Sequence, residues 1–313
     1  MTRFETPQVA VIGAGEIGRG WVALCVAAGW PVTLYEPDAE TLNPAMDAVT
    51  ERVQALVDLK RADATVAEEA LNRVVVGRSL LQAVGEAGWI IECLPEDLPA
   101  KVKALHLTEQ VARRSAVLSS SSNGFTSTDL GARLERPDRL LVLHPLLPVE
   151  LIPLVEVAPG PRTDPEVVED IRFWLSMLGR APIILKKEIA GSVAGRFTAA
   201  LWRECIQLVL DGVLDVEDVD RAVALGPALG WAAAGPHLEH QLAAGEWGAE
   251  MHLSQALGSY AAVWKSLAGW SQLEPEAHHK FIRAVARAYS NHDAELRSAR
   301  NHRLVRILEA LNE

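Results

Sequence analysis

The chain is poor in cysteine, in surplus positive charge and in long apolar runs. Its three cysteines, Cys25, Cys93 and Cys205, are scattered over 313 residues with no Cys-x-x-Cys pair. That usage argues against a disulfide framework and a thiolate metal site, and makes the reducing cytoplasm the expected compartment. Lys and Arg number 30 against 41 Asp and Glu, a net charge of −11. Proteins that cover nucleic-acid phosphates need clustered cations, so no nucleic-acid partner is expected. A small anion held in a pocket is untouched by that argument. No segment approaches the ~20 apolar residues that span a bilayer. The opening MTRFETPQ lacks the basic start, apolar stretch and small-residue cleavage site of a signal peptide. Tyrosine and phenylalanine are scarce, three and five, beside nine tryptophans.

What is present suits a folded protein of about two domains at ~150 residues each: 49% hydrophobic and 23% charged residues. The first half alternates short apolar runs with longer amphipathic ones. Strands are expected at 8–12, 32–35, 74–76, 89–92, 116–119, 140–143, 154–157 and 182–185. Helical segments at about 19–28, 38–59, 97–113, 126–134 and 165–178 fall between them, Asp38 standing as an N-cap. Such alternation predicts an α/β domain, a Rossmann-type, doubly wound, mostly parallel sheet. From about Lys187 onward the pattern is helical only, at 194–210, 215–225, 237–243, 254–267 and 275–311. The expected division is therefore residues 1–186 as the α/β domain and 187–313 as an all-α domain.

Gly13-Ala14-Gly15-Glu16-Ile17-Gly18 follows the first strand directly and opens the first helix. In that context a Gly-x-Gly-x-x-Gly turn binds a dinucleotide. The first glycine allows the tight turn, the second lets backbone approach a pyrophosphate, and the third lets helix pack on strand. The free N–H groups and helix dipole, at Gly15, Glu16 and Ile17, then face the phosphates. Glu36 ends the second strand. An acid there accepts from the ribose hydroxyls and repels a 2′-phosphate, which favours NAD over NADP.

His144 lies at the carboxyl end of a strand, where open α/β sheets bind ligands. Glu156 lies in the next strand. A His–carboxylate pair suits general acid–base work, with imidazole exchanging the proton and carboxylate orienting it. The spacing alone also admits a hydrogen-bonded turn histidine and a surface acid.

The chain resembles the 3-hydroxyacyl-CoA dehydrogenase superfamily over about residues 7–270. The likeness rests on Val11–Gly20, on Ile91-Glu92-Cys93-Leu94-Pro95-Glu96 with Lys101, on Ser119–Ser122, and on His144-Pro145 through Pro153-Leu154-Val155-Glu156-Val157. It continues through Lys187–Gly191, Leu201–Glu204, Asp211–Val213 and Gly226–Trp231, which look most like the L-carnitine dehydrogenase branch, with L-gulonate 3-dehydrogenase (lambda-crystallin) near. The resemblance implies an NAD-dependent dehydrogenase in which His144 removes the proton of a 3-hydroxyl and Glu156 holds His144. It implies Glu96 and Lys101 near the nicotinamide end; read alone they are a helix-start acid and a solvated lysine. It also implies that the helical domain closes over the substrate and forms a homodimer.

Three polar positions depart from the family pattern. His-Pro-Phe-Asn-Pro reads His144-Pro145-Leu146-Leu147-Pro148 here, so Leu147 replaces an asparagine. A substrate-facing serine after the serine run, near Ser121, becomes Asn123. An asparagine before Arg196 becomes Gly195. A site that loses a polar partner loses affinity for the group it bound, so an altered substrate or reduced activity is expected. Gly195 either opens room or allows close helix packing. The short region 50–73 and the net acidity favour a small free hydroxy acid over a CoA ester. Trp202 and Trp231 suit either plain packing or cation–π contact with a quaternary ammonium. The competing readings are a 3-hydroxyacyl-CoA dehydrogenase, a relative with altered chemistry, and an NAD-binding protein with vestigial catalysis.

Overall fold

The computed structural model describes residues 5–244, 249–289 and 293–311. It divides into two compact units, residues 1–195 and 196–313.

The first unit runs β1 (Val9–Ile12), α1 (Glu16–Ala27), β2 (Val32–Tyr35), α2 (Ala39–Asp58), α3 (Ala64–Leu71), β3 (Val75–Val76), α4 (Leu80–Val84), β4 (Trp89–Glu92), α5 (Leu98–Val111), β5 (Val117–Ser120), α6 (Ser127–Leu130), β6 (Leu140–Pro145), β7 (Leu154–Pro159), α7 (Pro165–Met177) and β8 (Ala181–Ile184). The strands form one sheet in the order β3-β2-β1-β4-β5-β6-β7-β8, parallel throughout except between β6 and β7. Central parallel strands are covered on both faces and read as continuous apolar runs; β1 and β4 are buried at every position.

Side chains alternate between faces along a strand, and the core divides accordingly. Val9, Val11, Trp89, Ile91, Val117, Leu141 and Leu143 pack with α1, α2, α3 and α7. Ala10, Ile12, Ile90, Leu118, Leu140 and Val142 pack on the other face with α4, α5 and α6. The winding is double. Trp89 stacks on Trp174 at 5.6 Å and meets Trp21 edge-on at 5.8 Å. Both buried indoles find partners: Trp21 Nε1 donates to Ser121 Oγ and Trp89 Nε1 to Ser119 Oγ. Asp38, Asp97 and Asp164 cap α2, α5 and α7 by accepting backbone N–H bonds.

From Val193 the described chain is helical: α8 (Val193–Leu210), α9 (Val216–Leu225), α10 (Pro227–Ala234), α11 (Pro236–Leu242), α12 (Ala249–Trp264), α13 (Pro275–Tyr289) and α14 (Asp293–Leu311). The stretch read from sequence as helical over 275–311 is two helices, with residues 290–292 outside the described residues. Within this unit Glu204 accepts the Ala268 amide, and Trp270 Nε1 donates to Gln207 at 2.9 Å. No described helix is long and apolar enough to cross a membrane.

Candidate active site

The turn between β1 and α1 is shaped by its glycines. Gly13 has φ +100°, and a Cβ there would lie 2.7 Å from the Cys93 carbonyl oxygen. A Cβ on Gly18 would lie 2.0 Å from the Gly13 carbonyl oxygen, so helix and strand close on each other only because residue 18 has no side chain. Gly15 differs: nothing stands within 4 Å of its Cβ position. That open cradle, with the first amides of α1 behind it, has the shape a pyrophosphate needs. Glu36 accepts from the Ala14 and Asp38 amides, each at 3.1 Å, so its carboxylate is fixed at the end of β2. These residues fit a dinucleotide. Ile17 packs against the core, and Glu16 pairs with Arg52 at 2.5 Å. Arg52 also reaches Glu150 at 2.7 Å, tying α2 to the segment after His144, a link with no sequence signature.

Lys101 is not a solvated lysine. It is 1% exposed, and its Nζ donates to both oxygens of Glu92 (3.0 and 3.3 Å) and to the Leu94 carbonyl (2.9 Å). Glu92 is fully buried and also accepts from Ser120 Oγ and the Leu94 amide. Lys101 stands 3.5 Å from Glu96. Glu96 Oε1 in turn accepts from Ser122 Oγ, the Asn123 amide and the Gly124 amide at 2.5, 3.1 and 2.6 Å. Partial burial works against the Glu96 carboxylate, but bonds from Ser122 and Gly124, with the Lys101 charge, hold its pKa below the usual range. The ends of β4 and β5 are thus locked together.

His144 and Glu156 are register partners across the antiparallel β6–β7 pair. They share a face, at the separation where cross-strand side chains interact. The Glu156 carboxylate, 1% exposed, accepts from the Val193 and Ala194 amides at 2.6 Å each, the first amides of α8. A helix N-terminus stabilises that negative charge. His144 Nδ1 is buried with no partner. Burial lowers the His144 pKa below its ordinary 6.5, with Glu156 and Glu96 pulling the other way. The ring is therefore neutral, and able to accept a proton, at neutral pH. His144 opens on a niche of about 20 Å³ whose walls include Asn123, Phe125, Glu156, Glu188 and Ser192. That is room for about one water.

The structure brings His144, Glu156, Asn123 and Gly195 together. Ser121 faces elsewhere: its Oγ accepts from Trp21 and, at 3.6 Å, from Cys93 Sγ, and Ser122 lines the niche instead. Trp202 and Trp231 lie in the helical unit. Trp202 meets Phe281 edge-on at 6.3 Å on the wall of an apolar groove of about 1080 Å³, and Trp231 sits half-exposed on α10. Glu92, Ser122 and Glu188 stand in the motifs quoted above without an assigned role, and Ser192 stands in none of them. Glu188 holds Thr128 through its amide and hydroxyl, at 2.8 and 2.6 Å.

Residues 8–189 match the family of 3-hydroxyacyl-CoA dehydrogenase NAD binding domains, and residues 191–284 match the family of 3-hydroxyacyl-CoA dehydrogenase C-terminal domains. The chain is 32% identical over 307 residues to the L-carnitine dehydrogenase of Oceanobacillus iheyensis, covering 98% of each. It is 33% identical over 305 residues to that of Streptomyces coelicolor, covering 97% of this chain and 94% of the relative. Among solved structures, a 5-formyl-3-hydroxy-2-methylpyridine 4-carboxylic acid 5-dehydrogenase, described as an NAD+ dependent dismutase, shares the fold. The TM-score is 0.82 at 24% identity, over 97% of this chain and 98% of that one.

Proposed function

The chain belongs to the 3-hydroxyacyl-CoA dehydrogenase family, an NAD-dependent dehydrogenase acting on CH–OH, and from that premise we propose that it oxidises the 3-hydroxyl of a small free hydroxy acid of the carnitine or gulonate kind. The observation that carries this reading is the end-to-end similarity to L-carnitine dehydrogenases. The short segment between β2 and β3 and the net charge of −11 speak for a free acid over a CoA ester.

His144 is the general base. Its neutral ring accepts the hydroxyl proton as the carbon–hydrogen bond breaks and the C–O bond becomes a carbonyl. NAD, when bound, supplies the hydride acceptor. Glu156 orients His144 and stabilises its cationic form, and the first amides of α8 hold that carboxylate in place. Gly13, Gly15, Glu16, Ile17 and Gly18 hold the pyrophosphate and Glu36 the adenosine ribose. Glu96 serves the nicotinamide end, and Lys101 serves it through the backbone it fixes. Asn123, Gly195, Trp202 and Trp231 are assigned to the substrate side, with Ser122 in the place expected of Ser121. Residues 1–186 carry the cofactor, and residues 187–313 complete the substrate site and pair two copies into a homodimer. The three free cysteines speak for cytoplasmic residence.

The test is NADH formation with L-carnitine, L-gulonate, 3-hydroxybutyrate and 3-hydroxybutyryl-CoA. Turnover of a free acid is expected. Turnover of the CoA ester alone overturns the free-acid reading, and NAD binding without turnover favours vestigial catalysis.

A further inference from the structure

Glu16 is the first residue of α1, the helix end whose free amides face a pyrophosphate. An acid in a first turn suits the helix dipole, but it repels an anionic ligand arriving at the same place. Gly20 lies one turn further along the same face. A Cβ there would lie 2.6 Å from Val149 Cβ and 3.1 Å from Glu150 Oε2, so the segment after His144 packs directly on the α1 backbone. Glu16 and Glu150 thus flank one side of the helix that carries the cradle.

Arg52 stands between the two acids. Its Nη2 donates to Glu16 at 2.5 Å and its Nη1 to Glu150 at 2.7 Å. Glu150 is 8% exposed and Glu16 50%. Burial works against the Arg52 charge, but Glu150 and Glu16 outweigh it and raise the guanidinium pKa. Glu150 Oε2 is buried with no partner among the described residues, so this acid leans on Arg52. Its backbone is held as well: Arg180 Nη1 donates to the Val149, Glu150 and Ile152 carbonyls at 3.2, 3.4 and 3.1 Å. Arg52 is therefore anchored on its buried side and presents its other nitrogen to Glu16 on the solvent side.

We propose that Arg52 is a positioning residue for the cofactor: anchored by Glu150, it neutralises Glu16 and holds that carboxylate off the path of the pyrophosphate. The division of exposure selects this role over that of a plain strut. A strut between α2 and the segment after His144 needs only the bond to buried Glu150. The bond to half-exposed Glu16 adds little to stability, yet it sets the charge that a pyrophosphate meets. Without Arg52, two uncompensated acids flank the cradle. The effect falls on cofactor affinity and not on proton transfer at His144. It rests on the dinucleotide cradle and is independent of which hydroxy acid is oxidised.

Calorimetric titration with ADP-ribose, which carries the pyrophosphate, and with adenosine, which does not, tests this without any substrate. Arg52→Gln is expected to weaken ADP-ribose binding about 5- to 50-fold at low salt, less at high salt, with adenosine changed less than about twofold. Arg52→Gln/Glu16→Gln is expected to return to within about threefold of the wild type, because the second change removes the charge that the first laid bare. Arg52→Lys, which keeps the charge, is expected to lose less than Arg52→Gln. Arg52→Gln/Glu150→Gln strands no buried acid and is expected to show the same ADP-ribose loss, which guards against a folding defect in the single variant. Wild-type ADP-ribose affinity in both Arg52→Gln and Arg52→Gln/Glu150→Gln overturns the proposal. So does an equal loss for adenosine, or a loss that Glu16→Gln leaves in place. A wild type that binds no ADP-ribose overturns the cradle itself, and this proposal with it.

Discussion

Burial gives neighbouring charged groups different roles. Lys101 and Glu92 lie out of solvent and satisfy each other, so their work is to fix backbone. Glu96 sits half in solvent and organises the turn at Ser122–Gly124. His144 is desolvated enough to stay neutral below its usual pKa, with two carboxylates limiting the drop. The glycines separate in the same manner. A Cβ on Gly18 collides with backbone, whereas one on Gly15 meets nothing. Gly18→Ala is expected to destabilise the fold by about 1–3 kcal/mol or more, read as a lowered denaturant midpoint. Gly15→Ala is expected to leave that midpoint within about 0.5 kcal/mol while weakening NAD binding at least about tenfold. Equal loss of stability in both variants would contradict the open-cradle account.

Elements with a clean period were legible from the sequence, and those set by neighbours were not. The strands of the parallel sheet announce themselves as apolar runs, and Asp38 and Gly18 mark their helix as expected. The reversal at β7 was there to be seen: only residues 146–153 separate β6 from β7, too few for a parallel crossover helix. The serine run shows how a face is decided. Ser119 and Ser121 alternate onto the tryptophan side and bond Trp89 and Trp21. Ser120 and Ser122 fall on the other side and bond Glu92 and Glu96. A strict period of two therefore points to Ser122, not Ser121, beside His144. The short helices α3 and α4 escaped because one or two turns carry too little pattern to read. The approach of Asn123 to Gly195 had no signal in one dimension, since it depends on a Cβ that is absent.

For the whole molecule, the tryptophan excess divides by unit. Trp21, Trp30, Trp89 and Trp174 are core residues of the first unit, which accounts for them as packing. The helical unit keeps large apolar side chains in solvent, among them Phe197 at 69%, Leu225 at 70% and Trp202 at 59% exposed. Apolar surface on that scale marks an interface, and the proposed homodimer supplies one. Light scattering at micromolar concentration is expected to return twice 33.9 kDa, and the single-chain mass would contradict it. The proposed function needs a neutral, half-buried His144 facing the substrate hydroxyl. The pH dependence of kcat/KM in the wild type and in His144→Gln tests it most directly. The wild-type rate is expected to rise through an acid limb centred below 6.5, as the proposed role of the unprotonated ring requires. In His144→Gln the rate is expected to be about 10²- to 10⁴-fold lower, with the limb gone and NAD affinity kept. A His144→Gln enzyme that keeps both its rate and its acid limb would contradict it.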